Sequence, residues 1–148
     1  MEAVPGRPAR ALPLWAVALL PALLSFLLSL STAGPYVHWQ DSGFFLAGIR
    51  DLGVLYPPGF VLYLLLGKAW TLLLPFIDFT RAVHLFSSAC AALAAGALSL
   101  AARELLLARG RLFRLDLDCD ERIAGVCGVL AGGFAATGYT FWVAAVYA

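Results

Sequence analysis

The chain has 148 residues, 62% of them hydrophobic and 13% charged, with a formal net charge of +1. Soluble domains carry about 45–50% apolar and about 25% charged residues, so this composition excludes an ordinary soluble protein and indicates an integral membrane protein. The net charge itself says nothing about partners; no basic cluster interleaved with aromatics points to nucleic acid, and the lipid bilayer is the first partner expected.

Residues 1–10 form a short basic head carrying Arg7 and Arg10. From Ala11 to Thr32 no residue is charged. At 1.5 Å per residue that run spans a hydrocarbon core of about 30 Å, which predicts a first transmembrane helix over 11–32. The competing reading is a signal peptide cut after Ser31-Thr32-Ala33. Its apolar core would exceed the usual length of about 7–15 residues, and Pro35 lies close to the cut.

An outer segment over 33–78 follows. Within it the pattern predicts a short helix over 41–52: Phe45, Leu46, Ile49 and Leu52 fall largely on one face, while Asp41, Arg50 and Asp51 stay polar. That pattern is typical of a helix lying at a membrane surface. Asp41 suits the N-cap of such a helix, and it equally suits a general base acting on an acceptor hydroxyl at the water–lipid boundary. His38, three residues earlier, is a weaker candidate. Tyr56-Pro57-Pro58-Gly59 makes a stiff corner, because proline restricts the residue before it and suits the first turn of the helix after it. A second short helix is predicted over 57–76, with Gly67-Lys68 near its centre. A lysine at mid-bilayer costs about 2.5–3.5 kcal/mol on insertion scales.

Two apolar runs come next, the first clean after Arg81 and His84 and the second clean throughout, predicting transmembrane helices over 79–102 and 123–147 with a loop over 103–122 between them. That loop carries Arg103, Arg109, Arg111, Arg114 and Arg122. The positive-inside rule puts it in the cytoplasm beside the Arg7/Arg10 head. An even number of crossings must then separate the two, and the Lys68 run is the natural one to remove. The N-terminus is accordingly cytoplasmic, and the 57–76 helix lies in or dips into the outer leaflet. If that helix crosses instead, the basic loop lies outside, against the rule.

Small residues recur every four positions at Ala124, Gly128, Gly132 and Ala136, and at Ser88, Ala92 and Gly96. This predicts close packing of the last two apolar helices on one another. Asp78, Arg81 and His84 are spaced to share a face. Arg81 there can pair with Asp78, anchor to headgroups or hold a phosphate through its guanidinium fork. The acids at Asp116, Asp118, Asp120 and Glu121 fail the calcium-loop pattern, which needs Gly sixth and Glu twelfth, and they balance the neighbouring arginines. Cys90, Cys119 and Cys127 have no metal-ligand spacing and read as reduced, packed thiols. No metal or cofactor is expected.

One apolar helix, then DSG, LGV-x-YPPG-x-x-LY-x-LLGK, an Arg-led helix and FW-x-x-A-VYA, in that order over most of residues 12–148, resembles the N-terminal region of the membrane family related to protein O-mannosyltransferases. That family lies within the GT-C superfamily of polyprenyl-phosphate-sugar glycosyltransferases. The resemblance implies an all-α, polytopic membrane helical bundle with two juxtamembrane helices in its first outer loop. It also implies transfer of a sugar from a polyprenyl-phosphate-linked donor to a protein or glycan acceptor on the outer face. Asp41 matches the catalytic aspartate. Arg81, His38 and Tyr56 are the candidate substrate contacts, and Gly43, Pro57, Pro58 and Gly59 are structural. The chain departs from the family pattern at three positions. Phe44 replaces an acid after DSG, Tyr56 a histidine before PPG, and Ala145 a glutamate before VYA.

The still-apolar ending FWVAAVYA is expected of the N-terminal portion of a larger membrane domain. A multi-pass integral membrane protein is expected, in the inner membrane if the source is bacterial. The alternatives are a non-catalytic or truncated membrane scaffold or partner subunit, and a transporter-like helical bundle with Lys68 and Asp41 lining a cavity.

Overall fold

A computed structural model describes residues 11–32, 40–53, 60–113 and 120–138. They form five α-helices in the order α1 (Leu14–Thr32), α2 (Gln40–Asp51), α3 (Val61–Leu73), α4 (Phe79–Phe113) and α5 (Glu121–Thr137). The described residues are all-α, with no strand among them. α1 and the stretch Phe79–Ala108 of α4 are long and apolar enough to cross a bilayer.

α1, α4 and α5 pack as a three-helix bundle whose direction is read from its glycines. A Cβ at Gly128 would lie 2.6 Å from the Ser99 carbonyl oxygen and 3.2 Å from Val17 Cγ1. One turn on, a Cβ at Gly132 would lie 2.7 Å from the Ala95 carbonyl oxygen and 3.0 Å from Pro21 Cβ. Ascending α5 therefore ascends α1 and descends α4, an up–down–up arrangement. The small-residue rows do what lipid cannot: they let backbones touch where apolar side chains gain nothing by leaving a hydrocarbon solvent. Their partners differ from the expected pairing in one respect. Gly96 sits against the Ala18 carbonyl oxygen of α1, at 2.9 Å from a Cβ, so the 88/92/96 row serves α1 at this point. The α5 row lies in the crevice between α4 and α1.

α2 and α3 form a second, smaller unit on the first turns of α4. Its core is Leu46 and Ile49 from α2, Leu64 from α3 and Val83 from α4, with Phe45, Tyr63 and Phe79 packed around them. Aromatic rings tie the three helices together: Phe45 meets Tyr63 edge-on at 5.4 Å, Tyr63 meets Phe86 at 5.2 Å, and Trp70 meets Phe86 at 6.1 Å. At about 20 Å, α3 is shorter than a hydrocarbon core of about 30 Å. It ends at Leu73, short of the expected 76, because Pro75 disfavours helical backbone at Leu74. Residues 54–59, where the corner and the expected start of this helix fall, lie outside the described residues.

α4 continues eleven residues beyond the expected end at Ala102, as far as Phe113. The segment Arg103-Glu104-Leu105-Leu106-Leu107-Ala108 consists of strong helix formers with no proline. The appearance of charge marks where an apolar layer stops, not where the helix stops. α5 is described as far as Thr137, and the rest of the expected 123–147 helix lies outside the described residues.

Candidate active site at the α2–α4 end

α2 starts at Gln40, so Asp41 is its second residue, two positions past the N-cap and still within the first turn. Asp41 shares its register with Phe45 and Gly48, four and seven residues on, and these lie on the packed side of α2. Gly43 is half-buried in the same helix. His38, Tyr56, Pro57, Pro58 and Gly59 lie outside the described residues.

The other end of α2 is held by α3. Residue 52 comes just after the helix in the left-handed region, with φ 53° on a leucine, a conformation that costs a bulky residue free energy. The last carbonyls of a helix lack intrahelical donors. One of them is satisfied from outside: Lys68 Nζ donates to the Arg50 carbonyl oxygen at 2.6 Å. The ammonium thus stands at the negative end of the α2 dipole. This position answers the insertion cost raised by the sequence, since the Lys68 ammonium is engaged at a helix end.

At the start of α4, Asp78 is the cap. Its Oδ1 accepts from the backbone N–H of Thr80 at 3.1 Å and of Arg81 at 3.3 Å. Asp78 therefore engages the Arg81 backbone, which leaves the Arg81 side chain exposed. Expected to share a face with Arg81, His84 instead turns inward and is buried. Asp120 plays the equivalent cap for α5, accepting from Arg122 N–H at 3.1 Å, so this acid of the 116–121 cluster is structural.

Between α2 and α4 opens a groove of about 490 Å³ lined by Leu46, Ala47, Arg50, Asp51, Phe79 and Thr80. It lies away from Asp41. Arg50 is nine residues further along α2, about two and a half turns, which puts it on the opposite side of the helix. No spacing rule could have found this groove, because it arises where two helices distant in sequence meet.

The Tyr63 hydroxyl and Ser87 Oγ form a hydrogen bond of 2.7 Å joining α3 to α4. Burial pushes the Tyr63 phenol above its ordinary range, and the bond to Ser87 partly opposes that. Cys90 and Cys127 are free thiols, and Cys119 lies outside the described residues. Among the described residues no three His, Cys, Asp or Glu side chains are grouped so as to hold a metal ion.

Residues 41–148 match the family described as Protein O-mannosyl-transferase TMEM260 N-terminal domain. The chain belongs to this family. The match begins at Asp41 and covers α2 to α5, in agreement with the resemblance carried by the DSG and YPPG motifs. Neither the curated proteins nor the solved structures give a match. Membership makes this an O-mannosyltransferase-related chain, and with the two apolar helices of crossing length it associates the chain with a membrane. The reaction named in the family's description joins a sugar donor to a protein acceptor.

Proposed function

We propose that this chain is the N-terminal part of a multi-pass GT-C-type glycosyltransferase, with Asp41 as its catalytic base and a polyprenyl-phosphate-linked sugar as donor. The observation that carries the reading is the family match over residues 41–148. The acceptor hydroxyl attacks the anomeric carbon while the Asp41 carboxylate takes its proton. The bond from that carbon to the phosphate oxygen breaks, and the polyprenyl phosphate leaves with the electron pair. Arg81, exposed on the first turn of α4, supplies a guanidinium fork for the phosphate charge.

The membrane placement follows the arginines. The N-terminal end of α1 and the Arg103 end of α4 share one end of the bundle, which the positive-inside rule assigns to the cytoplasm. α2 and α3 then lie at the outer face. Leu62, Leu65, Leu66, Leu72 and Leu73 form an exposed apolar stripe on α3, and its opposite side packs Leu64 and Gly67. A short helix with one packed face and one apolar face suits the outer leaflet, where an isoprenoid chain would approach.

The test is Asp41→Asn in the complete protein, assayed for transfer from a polyprenyl-phosphate-linked sugar. Loss of the base is expected to cost about 10²–10⁴-fold in rate. Undiminished transfer would remove Asp41 from the chemistry.

A further inference from the structure

We infer that Lys68 is a positioning residue: it clamps the C-terminal end of α2 and thereby fixes the helix that carries Asp41. The functional half of this inference rests on the reading of Asp41 as base; the clamp itself does not.

Two adjacent contacts make the clamp. Ile49 is fully buried and fills the space over Gly67, where a Cβ would lie 2.8 Å from Ile49 Cδ1. The next residue on each helix makes the polar contact, Lys68 Nζ to the Arg50 carbonyl oxygen at 2.6 Å. A knob seated on a glycine fixes the distance between α2 and α3. A charge-assisted hydrogen bond to a terminal carbonyl then fixes rotation and slide. The backbone just past α2 turns at Leu52 through the left-handed conformation, without the ease glycine would give, so this helix end carries a backbone cost that outside contacts offset.

Lysine suits the task better than a neutral donor. Its four-carbon stem reaches across from α3 along apolar surface, and its charge complements the dipole end it meets. α2 is short, 12 residues, and short helices depend on external packing for order. Displacement at its C-terminal end therefore moves Asp41 with it. A catalytic group misplaced by about 1 Å can cost about 100-fold in rate, so a partial loosening is read in kcat before it is read in binding.

The experiment compares Lys68→Met and Lys68→Arg in the complete protein. Sugar-transfer kinetics are measured beside amide hydrogen exchange over α2 and α5. Lys68→Met is expected to lower kcat about tenfold with donor KM within about twofold, and to speed exchange in α2 while α5 stays protected. Lys68→Arg keeps a donor and a charge and is expected to recover most of kcat. Wild-type kcat in Lys68→Met, with Asp41→Asn inactive, overturns the positioning role. Equal loss of protection in α2 and α5 also overturns it, because the effect is then general destabilisation. If Asp41→Asn proves fully active, the base reading fails. Exchange still decides the clamp: faster α2 exchange in Lys68→Met upholds it, and unchanged α2 exchange overturns it.

Discussion

Ile49 occupies the space that any side chain at Gly67 would need. A Cβ at position 67 would stand 2.8 Å from Ile49 Cδ1 and 3.1 Å from its Cγ1. Gly67→Ala is therefore expected to destabilise the α2–α3 unit by about 1–3 kcal/mol through overpacking. The obstacle is a flexible side-chain tip, so trimming it should relieve the clash. The double variant Gly67→Ala with Ile49→Val is expected to be more stable than Gly67→Ala alone. Thermal denaturation of the four proteins in detergent checks this, and strict additivity of the two single effects would contradict it.

Neighbouring glycines in α5 give the opposite pair of outcomes. At Gly132 a Cβ would stand 2.7 Å from the Ala95 carbonyl oxygen and meet Ser99 Oγ. A backbone atom cannot yield as a side-chain tip does. Gly132→Ala is expected to separate α4 from α5 and cost about 1–3 kcal/mol or more, and trimming Ser99 to alanine should not restore it. At Gly133 the nearest atom to a Cβ is Leu24 Cδ2 at 3.9 Å, an ordinary contact. Gly133→Ala should be neutral, or stabilising by up to about 1 kcal/mol from helix propensity. Melting temperatures in one detergent separate the two cases.

Tyr63 links stability to alkaline pH. Burial raises its phenol pKa above the ordinary value of about 10, with the Ser87 hydrogen bond working partly against that rise. As pH climbs past the unfolded value, the unfolded chain loses this proton first, and the folded state binds more protons than the unfolded one. Stability falls with pH in that window. Tyr63→Phe is expected to lose about 0.5–1.5 kcal/mol at neutral pH with the hydrogen bond. It should also flatten the decline above pH 10. An unfolding series from pH 8 to 11 measures both effects.

The apolar runs were legible because a bilayer demands long uncharged helices, a constraint written directly into composition; α1 and most of α4 follow from it. The small-residue rows were legible for a similar reason, since four-residue spacing puts them on one helix face. Which helix each row meets was not legible: nothing in Ser88, Ala92 and Gly96 distinguishes α1 from α5 as partner. Helix ends were misplaced where hydropathy and helicity part company, as they do beyond Ala102. Lys68 was read from the sequence as an insertion cost, because its acceptor is a backbone carbonyl eighteen residues away that belongs to another helix. Asp78 looked like a partner for the Arg81 side chain and proved to bond the Arg81 backbone. Asp41 and Arg81 stand out in the sequence by residue type and position, and their roles rest on the proposal; the groove beside Arg50 depends on tertiary contact alone.

α4 is 35 residues long, about 52 Å of continuous helix, against a hydrocarbon layer of about 30 Å. A rod of that length, longer than an apolar layer is thick, is a lever. Pivoted at its midpoint, a tilt of about 5° swings each end by about 2 Å. One end bears Phe79 and Thr80, which wall the groove beside α2. The other carries the arginine-rich turns beyond Ala102, so the groove wall and those arginines sit on opposite arms of one continuous helix.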